Sequence, residues 1–296
     1  MAIEFISEQH KNITYTEEAN SLIKKYVLEN PNAIVNFKLN DLKKKNGLEL
    51  FEFIGNESDA RNQISDYETI ESILKYKSLK GLFINEHTKP KVDMSNFPNL
   101  RLLSCDWNLK ILNISTLKKL QQFNLFQYKP KSKNLMELST LSSLKYLKLG
   151  SGNYESLKGL NKLKNLRELR IYSNRSVKTD DTIILESVEA LYISSCKSYD
   201  HDFYKSFPNL KILHLESSND LESLKPILDN LINLKEINIC GIKVLEEDNT
   251  YWKDYKNITT LNFFNRKHQK LKTKDFENYP YKQDGQWKGI PRTIIE

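Results

Sequence analysis

The chain has 296 residues, 39% of them hydrophobic and 28% charged, with 45 Lys and Arg against 38 Asp and Glu and a formal net charge of +7. This balance excludes wholesale disorder, three cysteines make no disulfide framework, and no run nears the roughly 18 uncharged apolar residues of a membrane helix. Met1-Ala2-Ile3-Glu4-Phe5 has no basic region and no apolar run after it, so no signal peptide is expected and the cytoplasm is the expected location.

Thr16 followed by Glu17 and Glu18 reads as a helix start, Ala19, Leu22, Ile23, Tyr26 and Val27 make one apolar stripe, and Asn30-Pro31 stops it. Two strand-like runs follow, Ala33 to Leu39 and Leu48 to Ile54, joined by a polar loop with Lys43, Lys44 and Lys45. They form either a hairpin or an abbreviated rung. Ser65-x-x-Glu68 is a capping box ahead of a second helix through Ile70, Ile73 and Leu74. Residues 1–78 thus read as a helical amino-terminal cap, the other reading being a separately functional domain.

From Leu79 the phrase L-x-x-L-x-L recurs: LKGLFI at Leu79, LRLLSC at Leu100, LQQFNL at Leu120, LKYLKL at Leu144, LRELRI at Leu166, VEALYI at Val188, LKILHL at Leu210, LKEINI at Leu234 and ITTLNF at Ile258. Successive starts lie 21, 20, 24, 22, 22, 22, 24 and 24 residues apart, within the range of about 20 to 29 of a leucine-rich repeat. Each L-x-L puts two apolar side chains on one face of a short strand. Upstream leucines such as Leu157, Leu160 and Leu163 return along the convex side to meet them. One unit cannot bury its own apolar face, so neighbours must stack. Residues 79–264 are therefore expected to form an α/β solenoid, about nine rungs with a parallel concave sheet roughly 40 Å long.

The chain resembles the bacterial leucine-rich repeat proteins, and LNKLKNLRELRIYSN from Leu160 to Asn174 looks closest to their internalin-like class. The resemblance implies a curved horseshoe. It spans Leu79 to Phe264 and departs from the pattern at the asparagine three residues after the third strand leucine. Only Asn108 and Asn174 keep that residue, with Cys196 the accepted substitute, while His87, Tyr128, Gly152, Ser218, Ile242 and Arg266 occupy the other positions. Locally varied backbone pairing at the turns is expected.

Residues 265–296 lose the period and become basic and aromatic: Arg266, Lys267, Lys270, Lys272, Lys274, Phe276, Tyr279, Tyr281 and Trp287. They read as an irregular carboxy-terminal cap, the other reading being a docking tail or an anion-binding patch.

No arrangement for catalysis emerges. His10, His87, His201, His214 and His268 are scattered, and none forms the i, i+4 pair of a helical zinc site. Gly150-Ser151-Gly152 opens like a dinucleotide fingerprint, but Glu155 stands where its third glycine belongs. A non-enzyme without cofactor or metal is expected. Cys105, Cys196 and Cys240 are too far apart along the array to bridge, so all three are expected to be free thiols.

Function then falls to the outward positions of the sheet. Between the second and third apolar residues of each phrase the outward column reads Phe83, Ser104, Asn124, Lys148, Arg170, Tyr192, His214, Asn238 and Asn262. Tyr146 and Tyr172 lie two residues to either side of it. Aromatics with arginine dominate protein–protein hot spots. Tyr146, Lys148, Arg170, Tyr172, Tyr192 and His214 are therefore the expected interface, extended by Trp107 and Phe126. Tyr172→Ala with Arg170→Ala is expected to abolish binding and leave the melting temperature nearly unchanged. The partner is expected to be one folded protein. In a sharper version the chain is an immunity or inhibitor protein that occludes a toxin or enzyme. Six cations along one rim, Lys80, Arg101, Lys145, Arg167, Lys211 and Lys235, suggest as an alternative an acidic surface or a nucleic acid. No membrane partner is expected, and the oligomeric state defaults to monomer.

Overall fold

The computed structural model describes residues 91–276 other than 108, 109, 180, 181, 201, 218, 219 and 240, together with strand residues 3–7, 10–13, 34–38, 62–64 and 81–84. The expected helices at 16–30 and from 65, the run from Leu48 to Ile54, and the aromatics Tyr279, Tyr281 and Trp287 lie outside the described residues. Contacts group the chain into two compact units, one comprising Met1–Gln127, Thr140–Leu144 and Arg292–Glu296, the other Tyr128–Ser139 and Lys145–Pro291.

The first unit holds β1 (Ile3–Ser7), β2 (His10–Ile13), β3 (Ile34–Lys38), β4 (Asn62–Ile64), β5 (Gly81–Ile84), β6 (Val92–Asp93), β7 (Leu102–Asp106), β8 (Ile111–Leu112) and β9 (Gln122–Phe126). β1 and β2 pair antiparallel, and β2, β3, β4, β5, β7 and β9 follow in parallel order. β3 falls within the expected run from Ala33 to Leu39 and pairs in parallel with β2 and β4. The second unit holds β10 (Tyr146–Gly150), β11 (Glu168–Tyr172), β12 (Ala190–Cys196), β13 (Ile212–Ser217), the helix α1 (Lys225–Asn230), β14 (Glu236–Asn238) and β15 (Thr260–Asn262). Its six strands pair in parallel, in chain order. Each of the nine phrases thus carries one strand.

The returns between strands are short 3-10 turns, such as Ile114–Thr116, Leu160–Lys162 and Phe203–Ser206. Leucines with ~22-residue spacing have too few residues left after the strand for a longer helix. The exception, α1, carries Pro226 in its first turn, where a missing N–H costs nothing. The paired leucines of each phrase are fully buried: Leu147 and Leu149, Leu169 and Ile171, Leu191 and Ile193, and Leu213 and Leu215 are all at most 1% exposed. Each such side chain contributes roughly 2 kcal/mol by leaving water.

The end of the strand is the irregular part. Gln127, Ser151, Ser173 and Ser195, two residues past the third apolar position, all have φ between 51° and 56°. A non-glycine residue in this left-handed region costs about 1 kcal/mol, and rung-to-rung hydrogen bonds offset it, Ser151 N–H to Tyr172 C=O at 2.9 Å and Ser173 N–H to Ser194 C=O at 3.0 Å. The turn points the next side chain inward. Asn174 donates to the Tyr154 carbonyl at 2.9 Å and to the Ser176 carbonyl at 2.7 Å. Cys196 reaches the Ser194 carbonyl at 3.5 Å, and the pairing of β12 with β13 slips there, between Ser194 and Cys196. Tyr128 is fully buried with its hydroxyl 2.9 Å from Glu137. Gly152 makes room for a ring, since a Cβ there would lie 2.5 Å from Cε1 of Tyr154. Size, not only hydrogen bonding, decides what each turn accepts.

Past Phe264 the chain keeps packing. Gln269 is 4% exposed, the Leu271 N–H donates to Asn249 at 2.8 Å, and Trp252 meets Phe263 edge-on at 5.1 Å. Two of the basic residues are held within the fold: Lys270 pairs with Asp248 at 2.6 Å, and the Lys272 ammonium donates to the carbonyls of Arg266 and Gln269. Cys105 and Cys196 are free and buried, and burial pushes both thiols up. Cys240 lies outside the described residues.

Candidate functional site

Parallel pairing aligns equivalent positions of successive rungs. In the second unit Lys148 pairs with Arg170, Arg170 with Tyr192, Tyr192 with His214, His214 with Asn238 and Asn238 with Asn262. One flank of this column reads Tyr146, Glu168, Ala190, Ile212, Glu236 and Thr260, and the other runs through Gly150, Tyr172, Ser194 and Glu216. The structure therefore brings Tyr146, Lys148, Arg170, Tyr172, Tyr192 and His214 onto one face of one sheet. Trp107 and Phe126 belong to the first unit, where the Trp107 N–H donates to the Phe126 carbonyl at 2.7 Å and both side chains are half-buried.

The aromatic positions are less open than alternation along a strand suggests. Tyr146 is 4% exposed and Tyr192 2%. Rungs about 4.8 Å apart press large in-register side chains against one another. Tyr192 packs with Ala190 and Ile212, the Arg170 guanidinium sits over its ring at 4.2 Å, and His214 lies against it with ring centroids 5.8 Å apart. Lys148 is held over the Tyr172 ring at 4.9 Å. A partly desolvated cation–ring contact of this kind is worth about 1 to 2 kcal/mol. The surface left to a partner is the half-buried set Lys148, Arg170, Tyr172 and His214, with the exposed carboxylate of Glu216 beside it.

Two carboxylates organise this face. Glu168 is 1% exposed and ion-paired with Nε of Arg170, two residues on along the same side of β11. Its charge therefore does not interrupt the face. It anchors the arginine from beneath. Burial opposes the charge of Arg170, and Glu168 overcomes this to hold its pKa above the ordinary arginine value. Because of this pair, Arg170→Ala is no longer a neutral probe of binding. Glu216 accepts from the Ser194 hydroxyl at 3.0 Å and lies 3.7 Å from Nε2 of His214. Gly241 backs it so closely that a Cβ would fall 2.3 Å from its Cγ.

Burial pushes the His214 imidazole below its ordinary value of 6.5, and Arg170 adds to this against the opposing pull of Glu216. The unfolded chain thus takes up this proton at a higher pH than the native one. Stability is expected to fall as the pH drops below 6.5. His214→Asn should remove that component from urea melts repeated across the range, and an unchanged pH slope would contradict it.

The rim is less basic than its sequence. Glu189 takes Arg167 at 2.9 Å and Lys211 at 3.1 Å. Burial raises the Glu189 carboxyl, but these two cations outweigh it and hold the pKa below the usual carboxylate range. Lys80 lies outside the described residues. Among the described residues no three His, Cys, Asp or Glu side chains come together as metal ligands. Among them, too, no helix is long and apolar enough to cross a membrane.

No protein-family model matches the chain, and no curated protein sequence does. Solved structures do. The chain is similar to an internalin (inlF) of Listeria monocytogenes, with a TM-score of 0.50 and 16% identity over 87% of this chain and 74% of that one. It is likewise similar to a leucine-rich repeat protein of Leptospira interrogans, with a TM-score of 0.54 and 19% identity over 86% of this chain and 71% of that one. The fold is thus the leucine-rich repeat solenoid of bacterial proteins.

Proposed function

We propose that this leucine-rich repeat protein is a non-catalytic binding module that recognises one folded protein through the outer face of the sheet in its second unit. What carries the reading is the ordered lattice there: Lys148 on Tyr172, Arg170 on Tyr192 and Glu168, and Tyr192 on His214. Side chains already held by their neighbours lose little freedom on association, which is where long flexible residues otherwise spend affinity. Arginine and tyrosine are also the residue types that concentrate binding energy. In its sharper form the reading is an immunity or inhibitor protein of the cytoplasm. A binder with no reaction of its own acts by covering a working surface of its partner.

Affinity isolation on the full chain from a lysate of its source, at two salt concentrations, tests this with Tyr172→Ala as the control. One salt-resistant protein near equal stoichiometry is expected. Tyr172→Ala is expected to weaken its binding by about 2 kcal/mol, while loss of the contact with Lys148 lowers the melting temperature by only about 2 to 4 °C and leaves the fold intact. A partner that ignores Tyr172→Ala would move the interface elsewhere. The alternative, an acidic surface or nucleic acid on the basic rim, would appear as salt-labile nucleic acid with no constant protein. The pairing of Glu189 with two rim cations weighs against it.

A further inference from the structure

The charges on the outer face of the second unit are sorted by strand. Lys148 and Arg170 stand in register on β10 and β11. Glu216 stands on β13 and Glu236 on β14, beyond a strand, β12, whose contributions to the face are the uncharged Ala190, Tyr192 and Ser194. The one acid on the cationic side, Glu168, is 1% exposed and its charge is met by Arg170, so Lys148 carries the net positive charge of that side. On the acidic side, the Glu216 side chain is 57% exposed. His214 beside it is held toward the neutral form by burial and adds little positive charge near neutral pH. Of the rim lysines nearby, Lys211 is paired with Glu189, and Lys235 precedes β14 and stands outside the three columns.

We infer that this face, taken as the binding surface proposed above, recognises a protein segment that crosses the strands with an acidic side chain over Lys148 and Arg170 and a basic side chain over Glu216. Three strand spacings and two residues along the strand separate Lys148 from Glu216, about 16 Å on the diagonal, which an extended segment of roughly five residues covers. Tyr172 lies between the two ends and gives the segment an apolar contact. The charged groups are positioned before the partner arrives: Lys148 by Tyr172 at 4.9 Å, Arg170 by Tyr192 at 4.2 Å, and Glu216 by Ser194 at 3.0 Å. A segment with the opposite order would meet like charges at both ends, so the sorting fixes orientation as well as identity.

The test is selection of a phage-displayed random dodecapeptide library on the full-length protein and, in parallel, on Lys148→Glu, Glu216→Lys and Tyr172→Ala. The original protein should enrich peptides carrying one acidic and one basic residue about five positions apart. Lys148→Glu, whose face is then mostly acidic, should enrich peptides with two basic residues and bind the original set roughly tenfold less well. Glu216→Lys should enrich peptides with two acidic residues. Lys148→Gln and Glu216→Gln, which only neutralise, should shift the preference part of the way, and circular dichroism checks that every variant is folded. The same sequences from all the charge variants, or no enrichment at all, would overturn the inference. Peptides that need Tyr172 but show no charge order would overturn it while leaving the binding face in place. Peptides indifferent to Tyr172→Ala would overturn the binding face itself.

Discussion

Arg170→Met is expected to lower the unfolding free energy by about 3 kcal/mol, and adding Glu168→Leu to it is expected to return most of the loss. The reason is the burial of Glu168 at 1% exposure directly beneath the guanidinium. A carboxylate that loses its ion-pair partner in such a place keeps its desolvation penalty and loses the attraction that offset it. When both charges are removed, two apolar side chains of similar volume can pack against Tyr192 and Ala190 with no buried charge left over. Urea melts of the two single variants and the double variant form the cycle. Simple additivity of the losses would mean that the pair is not coupled. The result also bears on function, because a binding defect in an Arg170 variant mixes lost contact with lost fold. Tyr172, which is half-buried and bears no ion pair, separates the two.

The alignment of the outward columns was legible because it follows from two counts alone, the alternation of side chains along a strand and the 20-to-24-residue period. Together they put Lys148 beside Arg170 and Tyr192 beside His214 with no knowledge of rotamers. How open each position is was not legible. Tyr192 and Lys148 occupy the same column, but one has Ala190 and Ile212 to sink against and the other reaches out over Tyr172. That difference depends on the flanking column of the neighbouring rungs. The turn positions fail for a similar reason. Asn174 follows a hydrogen-bonding rule visible in one unit, whereas Gly152 is explained only by the ring of Tyr154 two residues on, folded back into the same turn. In the first unit β1 and β2 carried no clear apolar alternation, and their antiparallel pairing was not foreseen.

Glu246 had no signal of any kind in the sequence, yet its removal is expected to be one of the costliest single changes in the second unit. Its carboxylate lies 2.8 Å from the indole N–H of Trp252, 2.6 and 2.8 Å from the Tyr251 hydroxyl, 2.6 Å from the Ser223 hydroxyl and 3.3 Å from the N–H of Leu224. These donors come from the start of α1 and from the 3-10 turn Thr250–Asp254, so one side chain ties two convex returns together. Trp252 is 2% exposed, and without the carboxylate its N–H has no water to turn to. A buried donor left without its acceptor costs about 1 to 3 kcal/mol, and the hydroxyls and the Leu224 N–H add to this, so Glu246→Ala should lose about 3 kcal/mol. Glu246→Gln keeps a carbonyl oxygen for the indole, and its amide can donate to a Ser223 or Tyr251 hydroxyl that rotates to accept. About 1 kcal/mol is expected there, the difference between a charge-assisted and a neutral hydrogen bond. Urea melts followed by tryptophan fluorescence rank the two variants, and equal losses would show that volume, not hydrogen bonding, sets the cost at this site.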